Sequence, residues 1–414
     1  MRIFEVFMDI QKSSAASYRK IYKFFLAIST IIVLGSCSSN TSIMGTYAYD
    51  IAFLNGEGIE TVELISQDGL SRIATVPAWQ GRVATSTSRG GDGDSYGWLN
   101  HAFIAAGETS PQFNNYGGEE RFWLGPEGGE GSWFFAPGAE QTFPHWVVPA
   151  PFDTDSFQVT DRTQGSVTYL GEAKLRNARN LLFSIRMQRK VTLLEKEALE
   201  RLIGPVPDGV SLVAYSSNNA ITNDGDFAWN EESGMPSVWM LGMFSPSETT
   251  TVFIPYNPEG EGPLVKDDYF GPMPEGRLRT DKGFILFTID GKYRSKIGLS
   301  AGRSLGLIGA FDPVKGLLTI LKTDLPAPGE RYVNSQWGKQ EDAFGGDALN
   351  AYNDGPTEDG TLMGPFFEME SSSPAAALSP GQTLVHSQTT IHIAGPIDLL
   401  KQVIVQVFGA CPDF

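Results

Sequence analysis

The side chains best suited to chemistry are concentrated in residues 115–129. This stretch combines glycines, acidic residues, an arginine and large aromatic rings. Glycine allows tight turns and a close approach of the backbone to a ligand. The carboxylates of Glu119 and Glu127 and the guanidinium of Arg121 can hydrogen-bond hydroxyl groups, and Trp123 offers an apolar face. This combination is typical of a sugar-binding site; a glycine-rich loop with solvated acids beside a strand is the alternative interpretation.

A second candidate is a pair of carboxylates toward the C-terminal end. Glu368 and Glu370 alternate with apolar residues, so on a strand both acids share one face. Two neighbouring like charges raise the pKa of one carboxyl group, which suits that group to general acid or base catalysis. A solvated strand face is the alternative interpretation.

Two basic residues with the same spacing, Arg294 and Lys296, lie in a run that is typical of a strand. Their even separation places both side chains on one face. They can neutralise the acidic pair or hydrogen-bond hydroxyl groups of a ligand, and of these roles we expect a structural ion pair.

The histidines are few, and no two of the four have the spacing of a helical metal site. Since only one cysteine remains besides Cys37, no thiolate cage can form, and we predict neither a bound metal nor a cofactor. His145, in a rigid Phe-Pro-His-Trp segment, can act as an acid near neutral pH, or be held by backbone hydrogen bonds beneath a loop. His386 and His392 share a face of a late strand and are expected to be structural or exposed rather than catalytic. Serine-nucleophile and phosphate-loop patterns do not occur.

The N-terminal segment predicts where the protein is targeted. Basic residues precede an apolar run at residues 24–34, which is too short to span a membrane as a mature helix. The Leu-Gly-Ser-Cys sequence that ends at Cys37 resembles a bacterial lipobox. It implies a lipoprotein signal over residues 1–37 with Cys37 lipidated; an ordinary secretory signal is the alternative. Residues 38–45 are typical of a flexible tether, and the lack of an aspartate after Cys37 favours the outer membrane, facing the periplasm.

The charge of the chain excludes several classes of partner. The net charge is −17, and removing residues 1–37, which hold five basic and two acidic residues, makes it −20. Such an acidic surface repels nucleic acid and anionic lipid headgroups. We therefore expect a neutral ligand, and contact with the membrane through the lipid anchor only. Cys411 is the remaining cysteine, so the mature chain cannot form an intramolecular disulfide.

The elements that position these residues are predicted to be strands. Short alternating or β-branched runs recur between turn signals, in a chain with 46 glycines and 25 prolines. Asp290-Gly291 between two such runs predicts a hairpin, and residues 312–316 predict another. Residues 190–203 are the one stretch with helix-forming content, and only their second half favours a helix. We predict an all-β sandwich or barrel in one continuous domain over residues 46–414.

Taken together, these motifs resemble the DUF6786 family of bacterial lipoproteins. The resemblance extends over nearly all of the mature chain and includes Gly-Gly-Glu-Glu-Arg-Phe-Trp at residues 117–123. The motifs that carry it lie at residues 76–83, 85–86, 96–100, 117–129, 145–146, 153–154, 222–223, 237–243, 294–298 and 350–355. That family is similar to the galactose mutarotase-like superfamily, which implies an antiparallel β-supersandwich with few short helices.

The resemblance also implies carbohydrate chemistry. In aldose epimerases of that superfamily a late glutamate removes the anomeric hydroxyl proton, a histidine protonates the ring oxygen, and an arginine near a Gly-Gly turn holds the sugar. By position, Glu370 is similar to the glutamate and Arg121 to the arginine. His145 is the nearest available substitute for the epimerase histidine, although the epimerase pattern of Asn-Gly-Gly followed by histidine is absent. We expect catalysis at or near the anomeric carbon of a carbohydrate, with a non-catalytic glycan-binding lipoprotein as the alternative.

Further residues are expected to touch the carbohydrate. The glycine-rich stretch and Glu370 should form opposite walls of one groove. The residues expected to bind substrate are Arg121, Glu119, Trp123, Glu127, Glu368, Arg294, Lys296 and Asn353.

Overall fold

The computed structural model describes residues 43–357 and 360–414. The predicted signal over residues 1–37, including Cys37, and the first part of the tether lie outside these residues. Within them, no helix combines the length and the apolar character that crossing a membrane requires. The first helix begins after Thr46, whose side chain caps it by accepting a hydrogen bond from the Tyr49 backbone N–H at 3.4 Å.

The described residues form eighteen strands and five α-helices. The strands are β1 (Val62–Ile65), β2 (Arg72–Val76), β3 (Arg82–Thr87), β4 (Arg121–Gly125), β5 (Gln158–Arg162), β6 (Ser166–Arg176), β7 (Leu182–Leu193), β8 (Ser211–Asn223), β9 (Ser237–Phe244), β10 (Thr251–Pro255), β11 (Leu278–Asp281), β12 (Phe284–Thr288), β13 (Ser295–Ser300), β14 (Leu307–Asp312), β15 (Leu317–Thr323), β16 (Asp347–Asn353), β17 (Phe367–Ser372) and β18 (Thr383–Ala394). The helices are α1 (Tyr47–Gly56), α2 (His101–Ala106), α3 (Ala150–Asp153), α4 (Lys196–Ile203) and α5 (Ile397–Phe408).

The strands form three sheets. The largest has ten strands in the order β11-β12-β10-β14-β15-β18-β8-β7-β6-β5, the second has five in the order β13-β16-β17-β9-β4, and the third is β1-β2-β3. Neighbouring strands in all three sheets are antiparallel. For the described residues, this antiparallel β architecture with few helices confirms the predicted fold class.

The five-stranded sheet packs one face against the ten-stranded sheet. Alternation along β17 points Phe367 and Met369 into the core between the sheets, and Glu368 and Glu370 to the opposite face. Apolar residues from both sheets share this core, among them Phe244, Ile297, Leu349, Val252, Ile308 and Leu321. Burial of such side chains is the main favourable contribution to folding.

Helices α4 and α5 cover part of the other face of the ten-stranded sheet. Leu199 of α4 and Leu400 and Val403 of α5 pack with Phe253 and Ile391 of that sheet in a second buried cluster. The outer face of the five-stranded sheet is covered by loops instead, which leaves room for a cavity.

Charged side chains are also buried between the two large sheets. Arg189 Nη2 donates a hydrogen bond to Glu120 Oε1 at 2.6 Å, and both side chains are fully buried. The second carboxylate oxygen of Glu120 accepts a hydrogen bond from Gln388 Nε2 at 2.7 Å. Because a buried carboxylate without partners is costly, these hydrogen bonds hold Glu120 in place. Glu120 directly precedes β4, so the network links the start of β4 to strands β7 and β18.

One of the two predicted hairpins is confirmed, and the other is wrong. Strands β14 and β15 pair directly around residues 313–316. Strands β12 and β13, which flank Asp290 and Gly291, lie in different sheets. Asp290 accepts two hydrogen bonds from the Arg277 guanidinium, at 3.0 and 2.7 Å, and Asn353 Oδ1 accepts one from the Gly291 N–H at 2.9 Å. These contacts hold the segment as a crossover between the sheets.

The helices agree with the sequence only in part. The second half of residues 190–203 forms α4, as predicted, and the first half ends β7. Helix α5 is absent from the prediction because its β-branched and apolar residues are equally compatible with a strand. Packing of its apolar face against the ten-stranded sheet decides in favour of the helix.

Replacing Arg189 by methionine should destabilise the fold strongly. The variant leaves the Glu120 carboxylate buried without its cation, which should lower the free energy of unfolding by about 3–5 kcal/mol. Arg186 is the matched control because it lies on the same strand with an exposed side chain, and Arg186→Met should cost less than about 1 kcal/mol. Urea denaturation followed by tryptophan fluorescence measures both values. Equal losses would contradict the role given to the buried pair.

Candidate functional site

A cavity of about 600 Å³ lies over the outer face of the five-stranded sheet. Its floor consists of alternate residues of neighbouring strands, which the pleat directs to this face. The floor residues are Lys296 of β13, Asn350 and Tyr352 of β16, Glu368 and Ser372 of β17, Trp239, Leu241 and Met243 of β9, and Arg121 and Trp123 of β4. The loops that form the walls contribute Phe113, Glu127, Phe143, Trp146, Tyr269, Phe270, Arg294 and Trp337. A charged floor is thus combined with aromatic walls.

An ion pair fixes one carboxylate at the floor. Arg121 Nη2 donates a hydrogen bond to Glu368 Oε1, across the intervening strand β9. The Arg121 guanidinium also lies over the ring of Trp123, with its central carbon 4.7 Å from the ring centroid. Glu368 is 7% exposed and lines the cavity. Its carboxyl group therefore reaches the cavity in a defined position.

A second ion pair lies deeper. Lys296 Nζ and Trp239 Nε1 both donate hydrogen bonds to Glu370 Oε2, at 2.9 and 2.8 Å. Glu370 is fully buried and does not line the cavity, whereas its two partners do. Its Oε1 has no hydrogen-bond partner among the described residues. The expectation that Glu370 faces the ligand is therefore corrected: of the two acids, Glu368 is the one that reaches the cavity.

Burial sets the protonation of Glu368. The loss of solvent raises the pKa of this carboxyl group to about 7; the charge of Glu370 also raises it, while Arg121 and Lys296 act against the rise. A carboxyl group with a pKa near neutral can both release and accept a proton at physiological pH. Glu368 is thus suited to acid and base chemistry.

A third carboxyl group, that of Glu127, lies in the aromatic wall. Its Oε1 accepts a hydrogen bond from Trp146 Nε1 at 3.0 Å, and Trp337 lies beside it. Burial raises the pKa of Glu127 and the charge of Glu370 adds to the rise, whereas Lys296 and the two indole N–H groups act against it. The protonated form of Glu127, like that of Glu368, is therefore favoured by burial.

The wall on the other side offers hydroxyl and guanidinium groups. The Tyr269 hydroxyl donates a hydrogen bond to Asp347, and burial raises the pKa of Asp347. Arg294 Nε donates to the Tyr352 hydroxyl at 3.1 Å, and its guanidinium lies 4.4 Å from the ring centroid of Phe270. Among residues 43–357 and 360–414, no three His, Cys, Asp or Glu side chains are grouped so as to hold a metal ion. The groups presented here suit the hydroxyls of an organic ligand.

Residues 115–129 contribute to the cavity lining through their side chains, and not through exposed glycine backbone. Gly117 and Gly118 have φ values of +85° and +113°, and a Cβ at either position would collide with Trp98 or Arg82. These glycines pack the chain against itself. Strand β4 lies in the same sheet as β17, so the predicted opposite walls are wrong, and Arg121 shares the cavity floor with Glu368.

Glu119 does not reach the cavity, contrary to the prediction. Strand β4 begins only at Arg121, so its alternation does not extend back to Glu119. The Glu119 side chain points between the large sheets, where Oε1 accepts hydrogen bonds from Ser86 Oγ at 2.6 Å and from His392 Nε2. Glu119 and His392 thus form a second buried polar group between the sheets.

His145 and Asn353 are also absent from the cavity lining. His145 is exposed, and its Nδ1 is 2.8 Å from the backbone oxygen of Glu140, so the loop itself holds the ring. Asn353 is fully buried and donates a hydrogen bond to the backbone oxygen of Tyr293 at 2.9 Å. Its amide supports the crossover between β12 and β13. Of the residues predicted to act on substrate, Arg121, Trp123, Glu127, Arg294, Lys296 and Glu368 line the cavity.

The sequence prediction missed several cavity residues. Every residue of β9 is buried, so its continuous apolar run does not distinguish the two faces of the strand. Its period of two does place Trp239, Leu241 and Met243 together, and this signal could have found them. Tyr269 and Trp337 lie in loops whose course no local pattern fixes.

The family model that matches this chain is described as "Family of unknown function (DUF6786)" and covers residues 45–411. The chain belongs to the DUF6786 family. The match includes both large sheets and every cavity residue named above, and it agrees with the resemblance of the motifs. Among curated proteins, no sequence matches this member of the family.

Solved structures similar to this DUF6786 protein include two mutarotase relatives. A galactose mutarotase-like protein from Lactobacillus casei ATCC 334 has 12% identity and a TM-score of 0.46, over 81% of this chain and 99% of that one. A galactose mutarotase related enzyme from Lactobacillus acidophilus has 9% identity and a TM-score of 0.43, over 81% and 97%. At such identities, residue roles have to come from the contacts of the DUF6786 protein itself.

Removing the charge of Glu370 should lower the pKa of Glu368. Glu370→Gln eliminates the like charge that raises this pKa and leaves Lys296 to stabilise ionised Glu368, so the titration should move from about 7 to lower pH. Carbon-13 NMR of labelled glutamate carboxyl groups, with the Glu368 resonance assigned by its loss in Glu368→Gln, measures the shift. The exposed residue Glu172 on β6 provides the control, since Glu172→Gln should leave the titration unchanged. An upward shift in Glu370→Gln would contradict the electrostatic account.

Proposed function

We propose that this DUF6786 protein acts on a carbohydrate bound in the cavity, with proton transfer by Glu368 at or near the anomeric carbon. One observation carries the proposal: a carboxyl group with a pKa of about 7 reaches a cavity that has aromatic walls and fixed polar groups. Sugars have apolar ring faces and hydroxyl edges, which suit aromatic rings and charged hydrogen-bonding groups respectively. Catalytic clefts are also where pKa values are displaced by burial and by neighbouring charges.

The chemistry divides between two carboxyl groups. Ionised Glu368 accepts a proton from a sugar hydroxyl, and its protonated form returns one. Arg121, which donates a hydrogen bond to Glu368 Oε1, stabilises the ionised form. Glu127 lines the same cavity with a raised pKa, so in this proposal it supplies the proton expected from His145. Glu370 is a positioning residue that acts through its charge and through Lys296.

A non-catalytic glycan-binding protein is the second candidate. The observation that favours it is that both acids of the pair already have cations within the protein, Arg121 for Glu368 and Lys296 for Glu370. In that case the ion pairs stiffen the floor, and the aromatic walls supply the affinity.

Replacing Glu368 by glutamine should reduce turnover strongly while keeping an acceptor for the hydrogen bond from Arg121. A glycan array identifies the carbohydrates that bind, and proton NMR follows their anomeric signals with enzyme present. Loss of a general acid or base reduces the rate by about 10²–10⁴-fold, so Glu368→Gln should lose activity by this factor. In the wild type, activity should change with an inflection near pH 7, because that is where Glu368 titrates. Glu172→Gln serves as the control.

The same experiment separates the two candidates. Binding without any change of the anomeric signals would favour the glycan-binding protein. Turnover that persists in Glu368→Gln would show that another group transfers the proton.

We also propose that Cys37 carries a lipid that anchors the protein to the outer membrane, facing the periplasm. The Leu-Gly-Ser-Cys sequence after a basic and apolar segment supports this proposal. Cys37→Ser should move the protein from the membrane fraction to the soluble fraction of the host. Mass spectrometry of the mature N-terminus provides the direct measurement, and an unmodified residue other than Cys37 at that position would contradict the proposal.

A further inference from the structure

Three aromatic rings line the cavity in series: Phe143, Trp146 and Trp337. The ring centroids of Phe143 and Trp146 are 6.1 Å apart with planes at 15°, and those of Trp146 and Trp337 are 6.4 Å apart at 23°. The three rings thus lie nearly parallel in a row along the cavity, and this row is called the platform.

The platform connects the floor of the cavity to its rim. At the floor, the Arg121 guanidinium lies 5.9 Å from the ring centroid of Phe113, and the Phe113 ring lies 5.8 Å from that of Trp146. Phe143, beyond Trp146, is 51% exposed, whereas Trp146 is only 8% exposed. The rings therefore extend from the ion pair of Glu368 outward to solvent, over a distance greater than one ring.

The platform is fixed in place by hydrogen bonds. Trp146 Nε1 is held by Glu127, and Gln141 joins the loops that carry the other rings. Gln141 Oε1 accepts hydrogen bonds from the Gly129 N–H at 2.8 Å and from the Gly338 N–H at 2.7 Å. Because the loops are linked in this way, little conformational freedom is lost when a ligand binds to the rings.

The cavity is also larger than one sugar. A hexose has about 12 non-hydrogen atoms and occupies on the order of 200 Å³ when it is packed as densely as a protein interior. The cavity of about 600 Å³ therefore holds roughly three such units. A single sugar at Glu368 would leave the platform uncovered.

We propose that the ligand is an oligosaccharide, with one sugar residue at Glu368 and the following residues along Phe143, Trp146 and Trp337. The inference rests on the proposed function, because it concerns the length of the carbohydrate bound at the same site. The outer rings contact sugar faces, and the floor groups contact the residue that reacts.

The test is a length series of carbohydrates. An array presents common neutral hexoses, hexosamines and uronic acids, each as the monosaccharide and as linear oligomers up to the tetrasaccharide. Calorimetry then measures the dissociation constants for the series that binds most strongly. The tetrasaccharide should bind at least tenfold more tightly than its monosaccharide. In Phe143→Ala this affinity ratio should fall severalfold, because a contact along the platform is lost.

Tyr49→Ala is the matched control, since Tyr49 lies on α1 and does not line the cavity. Equal affinity for monosaccharide and tetrasaccharide in the wild type would overturn the inference, whatever the variants do. An unchanged ratio in a folded Phe143→Ala would overturn the role of the platform. Failure of every arrayed carbohydrate to bind would instead overturn the proposed function. Oligomer preference without turnover would keep the inference and reject only the catalytic role.

Discussion

Burial of the five-stranded sheet on both faces is the constraint on which the rest of the structure depends. Its inner face is mostly apolar where it packs against the ten-stranded sheet, and its outer face is free to carry charge because a cavity lies there. Strand alternation assigns each residue to one face without exception in β17, from Phe367 to Glu370. A shift of one residue in register would place both glutamates in the apolar core. The register of this strand therefore determines the fold and the site together.

Placing charge on that face has an energetic consequence. The desolvation of a buried ion costs several kcal/mol, and the attraction of a close pair at an effective dielectric constant of 20 is of similar size, about 4 kcal/mol. Glu370 has two donors on one oxygen, Lys296 and Trp239, whereas Glu368 has Arg121 and faces the cavity. Burial, aided by the charge of Glu370, raises the pKa of Glu368 to about 7 against the opposing charges of Arg121 and Lys296.

Much of this arrangement could be predicted from local patterns. The all-β class, most strands and the common face of Glu368 and Glu370 follow from alternation and turn residues, which are properties of adjacent positions. The face of Glu119 could not be predicted, because it depends on where β4 begins. The Asp290-Gly291 crossover depends on distant partners, Arg277 and Asn353, that local sequence does not reveal. The cavity walls depend on loop packing, so their aromatic residues emerge only in the folded chain.

The division between strands and loops has a functional meaning. The ionisable floor groups lie on paired strands and are held by charge-assisted hydrogen bonds, so their geometry is rigid. The aromatic rings that would contact the non-reacting part of a ligand lie mainly on loops. Gln141 holds these loops together by accepting hydrogen bonds from Gly129 and Gly338, which are distant from each other in sequence. Loops tolerate changes in length and sequence better than the strands that they connect. The extent and identity of the bound ligand can therefore vary through the walls, while the carboxyl groups at the floor keep their positions and their protonation.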